Sequence, residues 1–219
     1  MELKGKKINF LGDSITEGAC LTDWNNVYWM RVGRDTGAIV RGYGIGGTRI
    51  APRIAPERDG EERFSQYFGS RVAEMDPDAD IIVVFGGTND FGHGDAPLGT
   101  MDDRDNNSFY GALHCLYRSL WEKYPTATIV VMTPLHRVGE HDTINEHGHP
   151  VMASFKRIAE TIKEVAAYYS FPVLDLYALS NLSPELPAVK EAFMPDGLHP
   201  NDAGHERIAS RLVGFLKNL

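Results

Sequence analysis

Cysteine is scarce in this chain of 219 residues, which contains only Cys20 and Cys115. Two cysteines so far apart in sequence do not form a disulfide framework, and their small number agrees with a reducing compartment. Long apolar runs are also missing, since no stretch of about 18 apolar residues occurs. The first residues, MELKGKKINFLGDS, hold no long apolar segment of a secretory signal. We therefore expect a cytoplasmic protein with no membrane partner.

Positive charge is in deficit as well. The chain has 22 Lys and Arg against 30 Asp and Glu, a formal net charge of -8, and no basic cluster stands out. Because phosphate binding depends on concentrated positive charge, nucleic acid is not expected as a partner. Hydrophobic residues make up 42% of the chain and charged residues 24%, which is ordinary globular composition. The length suits a single domain over residues 1–219.

Short apolar runs alternate with longer segments of helical periodicity, a pattern typical of a parallel sheet covered by helices on both faces. The runs at 81–85 and 129–132 are continuously apolar, as strands buried on both faces are. The predicted fold class is therefore α/β, with three α/β/α layers around a five-stranded, flavodoxin-like parallel sheet. The predicted strands are 7–11, 39–45, 80–85, 128–133 and 172–176. The predicted helices are 27–35, 61–75, 107–124, 151–169 and 202–216, and long loops are predicted at 92–105 and 136–150.

Four short motifs are placed next to the ends of these strands. Gly12-Asp13-Ser14 follows the first strand, Gly44-Ile45-Gly46-Gly47 follows the second, and Gly87-Thr88-Asn89-Asp90 follows the third. Asp196-Gly197-Leu198-His199-Pro200 lies between the fifth strand and the last helix. Ligands of open parallel sheets bind at the carboxyl ends of the strands. We therefore expect all four motifs to meet at one edge of the sheet.

Three residues in these motifs have the types that nucleophilic hydrolysis needs. A serine hydroxyl requires a base to take its proton, and the base requires a third group to hold its tautomer. Ser14, His199 and Asp196 have these types, and a separation of three residues allows the acid and the base to share one loop. Ser14 as a helix N-cap, and a plain turn before a helix-start proline, are the competing interpretations. Turn chemistry gives no reason for the histidine.

With four motifs in this order, the chain resembles the GDSL-type, or SGNH, hydrolase family of serine esterases and lipases. The resemblance implies the SGNH hydrolase fold and a catalytic triad of Ser14, Asp196 and His199. It also implies an oxyanion hole made by the N–H groups of Ser14 and Gly47 and the side-chain amide of Asn89. No cofactor and no metal are expected. A flexible turn at the glycines and a capping pair at 89–90 remain the structural alternatives.

The implied activity is hydrolysis of a short-chain O-acyl ester through an acyl-serine intermediate, and family habit favours removal of an acetyl group from a sugar. Lysophospholipase or thioesterase activity is the alternative within this class. A flavodoxin-like module that binds phosphate or flavin at 13–16 is the alternative outside it, although Glu17 would oppose a phosphate. The expected partner is a small-molecule ester, with an acetylated sugar as one candidate, and a homo-oligomer is left open.

The remaining polar and aromatic residues near the motifs receive structural interpretations. Asp13 and Asp90 are predicted to brace loops as hydrogen-bond acceptors, and Glu17 to stabilise a helix start. His205 is expected at the surface or the site edge, and Cys20 as a passive thiol. Aromatic residues are more often core than ligand platform, but four of them are candidates for lining a pocket. These four are Trp24, Tyr28, Trp29 and Phe91.

Two further features bear on the loops. His141, Glu146, His147 and His149 could coordinate zinc, yet their spacing matches no zinc signature, so a solvated, mobile loop is favoured. Gly42 departs from the family pattern, because many members carry Asn before the glycine block. This departure predicts looser support of the glycine loop.

Overall fold

The computed structural model describes residues 1–55 and 62–219. Its centre is a five-stranded sheet of order β2-β1-β3-β4-β5, in which every neighbouring pair is parallel. The strands are β1 Lys7–Gly12, β2 Ile39–Gly44, β3 Ile81–Phe85, β4 Thr128–Met132 and β5 Val173–Leu174. This is the flavodoxin-like order, so the predicted α/β fold class is confirmed.

Helices cover both faces of the sheet. The larger ones are α2 Tyr28–Thr36, α5 Phe109–Lys123, α6 Phe155–Tyr168, α8 Pro187–Phe193 and α9 Asp202–Lys217. The shorter ones are α1 Ser14–Glu17, α3 Phe68–Arg71, α4 Thr88–His93 and α7 Leu176–Leu179. Short 3₁₀ turns are formed by Trp24–Asn26, Glu62–Ser65 and Val72–Glu74. Within the described ranges no helix has the length and apolar character needed to cross a membrane.

The central strands β1, β3 and β4 are buried on both sides because each face of the sheet has its own apolar core. In β3, Ile82 and Val84 belong to the core beneath α3, α5 and α6. Ile81, Val83 and Phe85 point the other way, into the core beneath α2 and α9. Successive side chains of a strand alternate between the faces. The uninterrupted apolar run of β3 follows directly from this position in the sheet.

Two of the predicted secondary-structure elements, the second helix and the fifth strand, differ clearly from the structure. The single helix predicted at 61–75 is wrong: residue 61 lies outside the described residues, and the rest is divided between two 3₁₀ turns and α3. The break occurs because Tyr67 is extended and the Phe68 N–H donates to the carbonyl of Arg49 instead of continuing a helix. Strand β5 is shorter than predicted because Asp175 already caps α7.

The carboxyl ends of β2, β1 and β3 lie side by side. Gly12 at the end of β1 pairs with Gly44 of β2 on one side and with Phe85 of β3 on the other. The segments that leave these strands, carrying Ser14, the glycine block and Asn89, are therefore brought to one edge. This arrangement sets the position of the site.

Candidate active site

Ser14 lies where β1 turns directly into α1. The turn is tight: a β-carbon at Gly12 would lie only 2.0 Å from Oγ1 of Thr16, so the position requires glycine. Asp13 is the N-cap residue, since its Oδ1 accepts the N–H of Ile15 at 3.0 Å. The interpretation of Ser14 as the N-cap is therefore wrong, and its hydroxyl is left to point toward the last loop.

The hydroxyl of Ser14 meets the imidazole of His199 although the two residues are 185 positions apart in the chain. Ser14 Oγ lies 2.9 Å from His199 Nε2, and His199 Nδ1 lies 2.6 Å from Oδ2 of Asp196. The three side chains thus form one hydrogen-bonded row. Such a row is the geometry that a nucleophile, a base and an orienting acid require.

The Asp196 carboxylate is fixed by its own loop. Its Oδ1 accepts the backbone N–H groups of Leu198 and His199 at 2.8 and 2.7 Å. Burial acts to raise the pKa of Asp196, but hydrogen bonds from His199 and from the loop N–H groups outweigh it and lower the pKa to about 2. The group is therefore ionised at neutral pH, where it holds the imidazole.

The glycine block packs against the start of α1. A β-carbon at Gly44 would lie 2.2 Å from the backbone nitrogen of Glu17, and one at Gly46 would lie 3.4 Å from the β-carbon of Ser14. Gly47 adopts a φ of +77°, which favours glycine. Close approach and backbone conformation explain the glycines, so this loop is a fixed neighbour of Ser14 and not a flexible turn.

Donor groups that could face an oxyanion are gathered around Ser14. In the described part of the chain, the N–H groups of Ser14 and Gly47 have no hydrogen-bond acceptor. The buried amide of Asn89 donates one hydrogen to the carbonyl of Thr48, at 2.9 Å, next to Gly47. An amide nitrogen carries two hydrogens, so a second remains available. Asn89 is held by the glycine loop and is not a cap of α4, whose N-cap is Gly87.

The model of the GDSL-like Lipase/Acylhydrolase family matches residues 10–207, a range that includes every group described above. The chain belongs to this family. A search of curated proteins gave no match.

Solved structures agree with this membership of the GDSL-like acylhydrolases. A protein from Lactobacillus plantarum is 30% identical over 99% of this chain and 98% of its own, with a TM-score of 0.81. The lipase/acylhydrolase from Enterococcus faecalis has the same fold at 22% identity, covering 97% of this chain and 96% of its own with a TM-score of 0.64. A two-domain esterase active on acetylated mannans matches 99% of this chain at 21% identity and a TM-score of 0.61. This chain spans 49% of that esterase.

Arg71 supports the candidate active site of this GDSL-like hydrolase, although no sequence motif points to it. Arg71 is 4% exposed, and its guanidinium donates to the carbonyls of Gly12 and Tyr43, which lie at the ends of β1 and β2. It also donates to the hydroxyl of Thr48 and the carbonyl of Gln66. One buried cation thus ties the ends of two strands to the glycine loop. In the sequence, its burial is indicated only by its place between Phe68 and Met75 on an apolar face.

Glu17 also does more than stabilise a helix start. Its Oε2 accepts the N–H of Gly46 at 2.9 Å, and its Oε1 lies 2.7 Å from a guanidinium nitrogen of Arg63. The carboxylate therefore holds the glycine loop from the side of α1. Arg63, which lies close to Gly46, forms an ion pair with this carboxylate at the protein surface.

Two buried carboxyl groups brace the loops, as the sequence predicts. Asp90 accepts the N–H groups of Ile50 and Ala51 at 3.0 and 2.9 Å. Burial raises the pKa of Asp90 to about 6, and burial likewise raises the pKa of Asp13 to about 6. The hydrogen-bond partner of His199 Nδ1 is Asp196, and not Asp13 or Asp90.

The sequence predicts His205 at the surface or the site edge, but in the structure its side chain is completely buried. Its Nδ1 accepts the N–H of Tyr28 at 3.1 Å, and the two rings are stacked. Burial lowers the pKa of His205 to about 3, so the ring is neutral. The surface prediction failed because the packing of α2 on α9 cannot be read from the helix pattern of α9 alone.

The candidate pocket aromatics are mostly core. Tyr28, Trp29 and Phe91 are buried in the two apolar clusters, and only Trp24 is exposed, at 52%. The Trp29 indole also lies against Gly42, where a β-carbon would come within 2.5 Å of the ring. The expected loosening at Gly42 is therefore wrong, because the space left by the missing side chain is filled by Trp29.

The loop 136–150 is anchored, whereas the sequence favours a mobile one. The Val138 N–H donates to the carbonyl of Gly197 at 2.8 Å, which ties it to the loop of Asp196. The Glu146 N–H donates to Gly92, and the Asn145 amide donates to the carbonyl of Gly94. The loop thus joins the end of α4 to the acid and base loop.

The four metal-ligand types of this loop are not gathered into one site. Among the described residues, His141 instead groups with Glu140 and Glu185, and its Nε2 lies 3.0 Å from Glu185. His147 and His149 are exposed. The zinc interpretation of the original four is therefore wrong.

Proposed function

We propose that this GDSL-like hydrolase is a serine esterase that cleaves short-chain O-acyl esters through an acyl-serine intermediate. The observation that carries the proposal is the row of hydrogen bonds joining Ser14, His199 and Asp196. A nucleophile bonded to a base, which is in turn oriented by an acid, is the arrangement that acyl transfer needs.

In the first half of the reaction, Ser14 Oγ attacks the ester carbonyl while His199 Nε2 takes its proton. The negative charge that develops on the carbonyl oxygen is stabilised by the N–H groups of Ser14 and Gly47 and by the Asn89 amide. His199 then gives the proton to the leaving alcohol oxygen, and the acyl group stays on Ser14. Asp196, ionised because its pKa is about 2, stabilises the imidazolium that exists between these two steps.

In the second half, water takes the place of the alcohol. His199 Nε2 accepts a proton from the water as its oxygen attacks the acyl-serine carbonyl, and the same donors stabilise the second oxyanion. The proton returns to Ser14 Oγ as the carboxylic acid leaves. No redox partner or cofactor enters this sequence of steps.

The binding of phosphate or flavin at 13–16 is disfavoured. The N–H of Ile15 is occupied by the Asp13 carboxylate, and Glu17 adds a second carboxylate to the same short helix. A helix N-terminus attracts anions through free N–H groups and its dipole. Two carboxylates here oppose a phosphate.

For the substrate we propose an acetylated sugar. Three of the four aromatic side chains next to the motifs are packed into the cores and only Trp24 is exposed, which limits the apolar surface there for a long acyl chain. A protein with the same fold, the two-domain esterase, acts on acetylated mannans. Both observations favour a small acyl group on a polar alcohol.

A serine-directed phosphonate tests the mechanism. The wild-type protein is expected to gain one phosphonate mass on the peptide that contains Ser14, and the Ser14→Ala variant to gain none. Ester hydrolysis by Ser14→Ala is expected to fall by about 10⁶-fold in kcat. An unlabelled Ser14 in folded wild-type protein would refute the acyl-serine mechanism.

A panel of esters tests the substrate class. Acetyl, butyryl and octanoyl esters of one chromogenic alcohol are compared first, and acetylated mannan and xylan oligosaccharides second. The proposal predicts the highest kcat/KM for acetyl and release of acetate from at least one acetylated sugar. A preference for the octanoyl ester would instead favour a lysophospholipase or thioesterase.

A further inference from the structure

A thiol lies beside the acid and base of the site. Cys20 follows α1, is exposed, and has a φ of +64°, which is rare for a residue other than glycine. Its Sγ donates to Oδ2 of Asp196 at 3.3 Å, and the same oxygen lies 2.6 Å from His199 Nδ1. One ligand atom from each of the three residues lies within 4.8 Å of the other two.

The segment that carries this thiol is held in place. Both the N–H and the hydroxyl of Thr22 donate to Oδ2 of Asp202, at 3.2 and 2.5 Å, on the first turn of α9. On the other side, Asp196 and His199 are fixed to each other within one loop. The three ligand atoms are thus presented by two anchored segments rather than by mobile chains.

Thiolate, carboxylate and imidazole are the ligands of zinc in proteins. In a tetrahedral zinc site with bonds of about 2.0 to 2.3 Å, neighbouring ligand atoms are about 3.3 to 3.5 Å apart. The distance from Cys20 Sγ to Asp196 Oδ2, 3.3 Å, already has this value. Asp196 Oδ2 and His199 Nδ1, at 2.6 Å, have to separate by less than about 1 Å. Cys20 Sγ and His199 Nδ1, which lie within 4.8 Å of each other, have to reach a similar spacing.

We propose that Cys20, Asp196 and His199 form a binding site for a soft divalent cation such as Zn²⁺, and that the bound ion inhibits the hydrolase. The ion takes the Cys20 thiolate, one Asp196 oxygen and His199 Nδ1, and water fills the fourth position. The thiol proton is released to solvent. The ion displaces the proton of His199 Nδ1, and Nε2 takes up a proton from solvent, so the ring remains neutral.

This change of tautomer explains the inhibition. A neutral imidazole has one nitrogen lone pair in its ring plane. In the free protein this lone pair is on Nε2 and faces Ser14. In the metal-bound protein it is on Nδ1, where it binds the ion. With hydrogen on Nε2, His199 cannot accept the Ser14 proton. The ion also removes the Asp196 carboxylate from its role of stabilising the imidazolium.

Metal binding is measured first without any activity assay, in the Ser14→Ala variant. Titration with Cd²⁺ is expected to produce the near-ultraviolet absorbance of a cadmium–thiolate bond with one ion per chain. The absorbance persists in Ser14→Ala/Cys115→Ser and disappears in Ser14→Ala/Cys20→Ser. Absence of the band in Ser14→Ala, or its persistence without Cys20, overturns the proposal, whatever reaction the protein catalyses.

Inhibition is measured next, and this arm rests on the proposed function because it needs an ester assay. Zn²⁺ is expected to inhibit wild type and Cys115→Ser, with activity restored by a chelator and unaffected by Mg²⁺. Cys20→Ser is expected to stay active and to need at least about 100-fold more Zn²⁺ for half inhibition. Equal inhibition of Cys20→Ser overturns the proposal, and loss of ester activity in every metal-free protein refutes the proposed function instead.

Discussion

The two sides of the proposed site are supported in different ways. On the oxyanion side, two almost fully buried charged groups brace the chain: Arg71, 4% exposed, holds the glycine loop, and Asp90, 1% exposed, holds Ile50 and Ala51 just after it. On the proton-transfer side, the Asp196 and His199 side chains are 39% and 20% exposed and are held chiefly by hydrogen bonds within their own loop.

This difference follows what each side has to do. Donors of an oxyanion hole must be in place before charge develops, and buried ionic hydrogen bonds keep them there. A base that takes and returns protons has to exchange with substrate and water, so it lies closer to solvent. Substitutions on the oxyanion side are therefore expected to change how rigidly the donors are held. Substitutions on the proton-transfer side are expected to change protonation.

The largest expected effect is on stability, from Arg71→Met. Removing the guanidinium takes one buried hydrogen bond from each of the carbonyls of Gly12 and Tyr43 and from the hydroxyl of Thr48. The free energy of unfolding is expected to fall by about 3 to 5 kcal/mol. Urea unfolding followed by tryptophan fluorescence measures it.

The matched control for this variant is Arg34→Met on the exposed face of α2. Arg34 makes a long ion pair with Asp35, at 3.8 Å, and a long hydrogen bond to the carbonyl of Asn25, at 3.5 Å, and the side chains of Arg34 and Asp35 are half exposed. Its loss is expected to change the free energy of unfolding by no more than about 0.5 kcal/mol. Equal destabilisation by the two variants would contradict the view that Arg71 holds the oxyanion side.

The next effect is on catalysis, from Asn89→Ala. Loss of one oxyanion donor is expected to lower kcat by about 10²- to 10³-fold with KM little changed. The lost hydrogen bond to Thr48 also costs about 1 kcal/mol of stability. Steady-state kinetics on an acetyl ester measures the first effect and urea unfolding the second.

Asn9→Ala separates these two consequences. Asn9 is buried in β1, and its amide donates to the carbonyl of Asp76 at 2.8 Å, away from Ser14. Its variant is expected to lose stability in the same way while kcat stays near the wild-type value. If Asn89→Ala also kept its kcat, Asn89 would have no part in stabilising the oxyanion.

The sequence predicts the fold and the position of the motifs well, because both follow from local patterns. Strands buried on both faces are written as uninterrupted apolar runs, and the parallel order places every following motif at one edge. Arg71 could not be predicted, since its acceptors come from β1, β2 and the glycine loop. The same holds for His205, whose burial depends on the packing of Tyr28. Contacts between segments that are distant in the sequence determine the surroundings of both Arg71 and His205.

The smallest expected effect distinguishes the two sides by their response to pH. Asp13 and Asp90 have a pKa of about 6 in the folded protein, above the ordinary 3.8, so they contribute stability as the pH falls through this interval. His205, with a pKa of about 3 against 6.5, acts in the opposite direction. Between these values the unfolded chain binds a proton that the folded chain does not, so its contribution lowers stability as the pH falls.

Because these contributions oppose each other, the wild-type curve alone cannot reveal them, and a difference between variants is needed. His205→Asn keeps an acceptor for the Tyr28 N–H but does not titrate. Between pH 6.5 and 4.5 it is expected to lose about 2 kcal/mol less stability than wild type. The control His149→Asn, at an exposed loop position, is expected to follow the wild-type curve. Parallel curves for wild type and His205→Asn would mean that this imidazole accepts a proton in the folded protein, contrary to a pKa of about 3.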